Sequence, residues 1–121
     1  MTKLNVQRLE DIEKLPDNWN GYGARKFASS LINKCREIAK SLPVAMTVYP
    51  TGRQSIQFQY DKNGNYLELE VYEDHTFCLC MLKRDYGQVK TIRLTNDKAE
   101  EIRKYIQQQL KERRVSFSAI E

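Results

Sequence analysis

The stretch SIQFQYDKNGNYLELEVYE, residues 55–73, decides the fold. Successive side chains of an extended chain point to opposite sides. Ile56, Phe58 and Tyr60 therefore share one face, and Ser55, Gln57 and Gln59 the other. Beyond them, Leu67, Leu69 and Val71 alternate with Glu68 and Glu70 in the same way. Asp61-Lys62-Asn63-Gly64-Asn65 lies between the two runs, and Asn-Gly suits the positive φ angles of a tight hairpin turn. Two period-two runs about such a turn make a β-hairpin with an apolar and a polar face.

The pattern continues in both directions. VAMTVY (44–49) alternates, and Pro50-Thr51-Gly52-Arg53 signals a turn into 55–60. After 66–73 the chain turns at Glu73-Asp74-His75, and TFCLCML (76–82) follows. Asp85-Tyr86-Gly87 turns it again into a shorter strand at 89–94. Five strands with short connections predict an antiparallel meander.

Outside the strands the period changes to 3.6. Val6, Leu9, Ile12 and Leu15 predict a helix over 5–15, with Asn5 as its cap and Pro16 as its stop. A second helix over 28–42 buries Leu31, Ile32, Cys35, Ile38, Ala39 and Leu42, with Phe27 as a hydrophobic staple and Pro43 at its end. A third, over 96–114, carries an apolar stripe of Ala99, Ile102, Ile106 and Leu110 behind a Thr95 or Asn96 cap. The tail 115–121 alternates weakly and either adds to a sheet edge or stays irregular. The expectation is a single α+β domain over 1–121. It has two N-terminal helices, an antiparallel five-stranded meander sheet and a C-terminal helix packed on one face.

LPDNWNGYGA (15–24) joins the first two helices. Gly21 and Gly23 suit unusual backbone angles, and Asp17, Asn18 and Asn20 suit bonds to their own main chain. Trp19 and Tyr22 are expected to plug the end of the core. The rival reading is an exposed aromatic recognition loop.

With 121 residues, 40% hydrophobic and 30% charged, the chain supports one core. No apolar run is long enough to span a bilayer, and residues 1–15 have no apolar leader pattern. A cytoplasmic protein with no membrane partner is the expectation. The three cysteines, Cys35, Cys78 and Cys80, suggest no disulfide framework and read as reduced thiols. The net charge of +4 is unevenly placed. Residues 1–82 hold ten basic and ten acidic side chains, whereas 83–121 hold ten basic and six acidic.

Several residue groups have the types that chemistry would need. His75, Cys78 and Cys80, with Cys35, have zinc-ligand residue types, but structural zinc sites use paired Cys knuckles. Buried thiols are the better reading, and no metal or cofactor is expected. Glu68, Glu70, Glu73 and Asp74, near Asp61, would suit a magnesium-dependent nuclease. Alternating Glu on a strand is equally the pattern of a solvated outer face, which is the reading adopted. Any nucleophilic dyad would need His75, the one histidine of the chain. Thr51-Gly52-Arg53, followed by Gln54 and Ser55, reads as a phosphate-holding turn or as a plain turn with a surface arginine.

TFCLCML is apolar on both faces, so both faces expect cover: the tail, a second copy in a homodimer, or another partner. Lys83, Arg84, Lys90, Arg93, Arg103, Lys104, Lys111, Arg113 and Arg114, with Tyr86 and Tyr105, make the last third basic enough to meet phosphates. Glu100, Glu101 and Glu112 interrupt that charge along the helix. The residues expected to bind a partner are Tyr66, Tyr72, Lys83, Arg84, Arg93, Arg103, Lys104, Lys111, Arg113 and Arg114.

LPDNWNGYGA, SLPVAMTVYPTGRQSIQFQY and YLELEVYED, in this order, resemble a group of small uncharacterised bacterial and phage proteins. That group has an N-W-x-G-x-G-A loop, a helix ending at proline and a P-x-G turn leading into a strand pair. The resemblance covers roughly residues 15–74 and brings no catalytic residues. It implies a prokaryotic or phage origin, where small single-domain proteins act as antitoxins, immunity proteins or anti-defence (including anti-CRISPR) inhibitors. A non-catalytic inhibitor that binds a toxin or defence effector is the first reading. A nucleic-acid-binding module using the basic C-terminal third is the alternative, and a metal-dependent nuclease using Glu68, Glu70 and His75 the third. A positive net charge argues against a DNA mimic, which must be acidic.

Overall fold

A computed structural model of the chain describes residues 3–62, 65–74, 77–83, 88–94 and 99–112. It is an α+β fold in which two N-terminal helices pack on one face of an antiparallel three-stranded sheet. The helices are α1 (Lys3–Glu13) and α2 (Ser29–Ser41). The strands are β1 (Thr47–Pro50), β2 (Ser55–Lys62) and β3 (Asn65–Tyr72). Further along the chain come β4 (Phe77–Lys83), β5 (Gln88–Leu94) and α3 (Ala99–Glu112). Among the described residues, no helix is long and apolar enough to cross a membrane.

The register places like side chains side by side. Val48 stands opposite Phe58, and Phe58 opposite Leu69. One step along, Tyr49 stands opposite Gln57, and Gln57 opposite Glu70. The first row faces the helices. Val48, Ile56, Phe58, Leu67, Leu69 and Val71 are buried there in one cluster with Leu9, Leu31, Ile32, Cys35 and Ile38. Burying each of the larger apolar side chains contributes about 1.5–3 kcal/mol, which ties both helices to the sheet.

Several local readings change. Asn5 does not cap α1, which begins at Lys3; it is buried, and its Nδ2 donates to the Met46 carbonyl. That bond turns α1 so that Asn5, Leu9 and Ile12 face inward, while Val6 lies 39% exposed. β1 starts at Thr47 rather than Val44, although Val44 and Met46 are buried before it. Burial of the Cys35 thiol by apolar neighbours pushes its pKa up, as suits a core thiol and not a metal ligand.

The β1 edge is protected on its outer side. The Arg8 side chain donates from Nη1 to the Val48 carbonyl at 3.4 Å, and its guanidinium lies 5.1 Å from the centre of the Tyr49 ring. Pro50 has no N–H to offer a further strand. A covered carbonyl and a missing donor oppose strand addition at this edge.

Candidate functional site

Two connecting segments and the polar sheet face meet at one end of the molecule. The first is the loop between α1 and α2. Asn18 takes φ 60°, and Gly21 and Gly23 take φ 77° and 85°. These left-handed angles suit Asn and Gly, because other side chains crowd their own backbone there. Asn18 Oδ1 accepts from the Gly23 amide at 2.7 Å, and Asn20 Oδ1 accepts from Tyr22 at 2.9 Å and Ala24 at 3.2 Å. The Asn18 amide donates to the Ala24 carbonyl, and Asp17 Oδ1 accepts from the Lys26 amide at 2.8 Å.

The loop's two aromatic residues separate. Trp19 packs on the core, tilted against Phe27 with ring centres 5.9 Å apart; its buried Nε1 has no hydrogen-bond partner. Tyr22 does not plug the core, as expected from sequence, but stands 92% exposed. The cause is backbone geometry: flanking glycines at positive φ lift residue 22 off the body of the protein.

The second segment is the β1–β2 turn. The Thr51 amide donates to the Ser55 carbonyl at 3.0 Å, and Gln54 adopts φ 57°. A non-glycine residue at that angle is strained unless its surroundings hold it. Here Gln54 Oε1 accepts from the Arg25 amide at 2.8 Å, and its Nε2 lies 3.4 Å from Glu73 Oε1. A Cβ on Gly52 would lie 2.9 Å from Asn20 Nδ2, so this turn and the Asn20 side chain are in direct contact. Gln54 and Gly52 thus fix the loop to the sheet.

The polar sheet face joins the same group through Glu70. Sequence reading makes Glu70 a solvated carboxylate, yet it is 7% exposed. Arg53 donates to it twice, from Nε to Oε2 at 3.2 Å and from Nη2 to Oε1 at 2.8 Å. Ser55 Oγ and Gln57 Nε2 donate at 2.7 and 2.8 Å. Burial alone would raise the Glu70 pKa, but the bonds from Arg53, Gln57, Ser55 and Tyr72 outweigh it and hold the carboxyl at about 2. Glu68 shifts the other way: burial first, and the neighbouring Glu70 charge second, raise its pKa. The network continues through Gln59 Nε2 to Gln57 Oε1 at 2.9 Å and through the Thr51 and Ser55 hydroxyls at 2.5 Å.

Arg53 is therefore not a plain surface arginine, and its two donors to Glu70 are committed within the protein. Glu70 has no free side toward a metal either, because arginine, serine and glutamine donors surround it. Among the described residues, no group of three His, Cys, Asp or Glu side chains is arranged to hold a metal ion.

Of the residues expected to bind a partner, five have described side chains: Tyr66, Tyr72, Arg103, Lys104 and Lys111. Tyr66 and Tyr72 are half-buried on β3, sharing the polar face with Glu68 and Glu70. Their hydroxyls bond these same carboxylates. Arg103 is half-buried and Lys104 and Lys111 are exposed on α3. Lys83 and Arg93 belong to β4 and β5, and their side chains lie outside the described residues. So do Arg84, Arg113, Arg114 and His75 altogether, the side chains of Cys78 and Cys80, and the tail 115–121.

The sequence carries a signal for the loop, in N-W-N-G-Y-G, but none that separates the fates of Trp19 and Tyr22. The network around Glu70 joins residues 51–57 to residue 70, a pairing that only the strand register reveals. Comparison of the chain with protein-family models, with curated proteins and with solved structures finds no match.

Proposed function

We propose that this chain works by binding another protein, as a non-catalytic inhibitor of the antitoxin, immunity or anti-defence type. The observation that carries this reading is the polar sheet face. Gln57, Gln59, Glu68, Glu70, Tyr66 and Tyr72 are held there by one another, and among the described residues no helix covers them. Side chains already fixed before contact lose little entropy on binding, and tyrosine supplies contact area with few rotatable bonds. The resemblance of residues 15–74 to small bacterial and phage proteins gives the reading its biological setting.

The same proposal takes the sheet as a five-stranded meander in the order β1-β2-β3-β4-β5, with α3 on the helical side. Its support is the register: Glu70 stands opposite Cys78, and Cys78 opposite Arg93. The burial of Ile102 and Ile106 beside α2 and the sheet supports the place of α3. In this arrangement Tyr66 and Tyr72 lie on one face of the sheet and α3 on the other.

Lys104 and Lys111 favour a second reading. Both are exposed, and seven residues apart they stand two turns along one side of α3, where a phosphate backbone would meet them.

Capture from a bacterial lysate on the immobilised chain, with and without nuclease and at low and high salt, tests the two. A single polypeptide retained through nuclease and high salt, and lost with Tyr66→Ala or Tyr72→Ala, is the expected result. Recovery of nucleic acid alone, lost as salt rises and with Lys104→Glu, would move the function to α3.

A further inference from the structure

We propose that Tyr22 is the central anchor of the contact with that partner, a folded protein offering an apolar pocket for the phenol ring with carboxylates at its rim. The inference rests on the protein-binding reading above and adds where the contact is made and what it fits.

An exposed tyrosine by itself is ordinary; one held out on a fixed support is not. Tyr22 is 92% exposed, while the backbone on either side of it is bonded to Asn18, Asn20 and Asp17 side chains. No atom lies within 4 Å of a Cβ built on Gly21 or Gly23, so these glycines serve backbone angle and not close packing. Two further non-glycine residues at positive φ, Asn18 and Gln54, maintain the arrangement. None of this brings Tyr22 into the core, where its ring would contribute to stability. The organisation serves presentation of the ring, and a presented aromatic loses little entropy when it enters a pocket.

The charged side chains carried by the same loop indicate the rim the ring would meet. The Arg25 side chain is 74% exposed, and its ion pair with Glu73 is long, at 3.9 Å. Lys26 is exposed as well. The carboxylates nearby have inward tasks: Asp17 binds the Lys26 amide, Glu73 faces Arg25 and Gln54, and Glu70 is buried. The exposed and loosely paired Arg25 guanidinium, three residues from Tyr22 in the chain, can offer charge-assisted hydrogen bonds to a partner's carboxylate.

The test pans a phage-displayed library of folded bacterial protein fragments on the immobilised full chain. Each retained clone is then titrated against wild type, Tyr22→Ala, Tyr22→Phe, Arg25→Glu and Tyr66→Ala. Circular dichroism verifies that each variant is folded; Tyr22, outside the core, is not needed for folding. The expected result is clones whose affinity falls about 30-fold or more with Tyr22→Ala, the scale of a hot-spot residue. Tyr22→Phe should retain most of the affinity, and Arg25→Glu should lower it in a salt-dependent way. Clones that bind Tyr22→Ala as tightly as wild type, or that weaken only with Tyr66→Ala, would overturn the anchor and leave the protein-binding reading standing. A wild-type chain that retains no clone above an empty support would overturn both.

Discussion

Arg53, in the turn between β1 and β2, holds Glu70 of β3 by two hydrogen bonds, Nε to Oε2 at 3.2 Å and Nη2 to Oε1 at 2.8 Å. The carboxylate is buried and the guanidinium is not. A charge on the polar sheet face thereby acquires an interior environment, supplied by the side chains of Arg53, Ser55 and Gln57. The pair also links the turn to the strand and, through Gly52 and Gln54, to the Tyr22 loop.

Glu70 makes stability depend on acid. Its pKa in the folded chain, about 2, lies below the ordinary 4.5, so the folded state binds the proton less readily than the unfolded state. The contribution is fully present above the unfolded value and is lost as pH falls from about 5 toward 2. Glu70→Gln should unfold at lower denaturant than wild type at pH 7, by on the order of 2–3 kcal/mol. The gap should close across that acid range. Urea titrations at a series of pH values check this, and a gap that is constant with pH would be the contrary result.

The loop glycines should matter through φ alone. Gly23 has φ 85° with open space where a Cβ would stand. Gly23→Ala should therefore cost about 1 kcal/mol of stability from backbone strain. Gly21→Ala, at φ 77° and also in open space, should behave alike. Thermal or denaturant unfolding reads both. A neutral outcome would mean that the loop relaxes freely to negative φ.

Gly52 and Asn20 should act as a coupled pair. A methyl group at position 52 meets Asn20 Nδ2 at 2.9 Å, and Asn20 cannot yield without disturbing its bonds to the Tyr22 and Ala24 amides. Gly52→Ala should destabilise by about 1–2 kcal/mol. In a double-mutant cycle with Asn20→Ala the combined cost should be less than the sum, since the second change removes the clash. Strict additivity would show that the two segments do not press on each other.

Cys35 should be chemically silent in the folded protein. Its thiol is buried, and burial raises its pKa, so little thiolate is present near neutral pH. Peptide mapping after iodoacetamide treatment at pH 8 should find Cys35 unmodified under native conditions and alkylated in denaturant. Native modification at the rate of a free cysteine would place the thiol at the surface.

Much of the scaffold was legible in the sequence because periodicity reports burial directly. Ile56, Phe58, Leu67, Leu69 and Val71 alternate, and they are buried. The helical stripe Leu31, Ile32, Cys35, Ile38 and Ala39 is buried likewise. The same reasoning misplaced Asn5, Val6 and Glu70, because polarity is a guide to exposure only when no partner waits. Asn5 finds the Met46 carbonyl 41 residues away, and Glu70 finds Arg53, Ser55 and Gln57 from another strand and its turn.

The sequence by itself determined the two N-terminal helices and the first three strands, the apolar stripe or face of α2, β2 and β3, and that 15–24 is a tight loop. Those properties follow from neighbours a few residues apart, which is the range over which backbone preference and alternation act. Only the tertiary structure decided that Trp19 turns inward and Tyr22 outward, and that Glu70 is buried and ionised. Each of these outcomes depends on groups brought together across the fold, Phe27 against Trp19 and Arg53 against Glu70. Burial and hydrogen-bond satisfaction are properties of that assembled neighbourhood, which no local window of sequence contains.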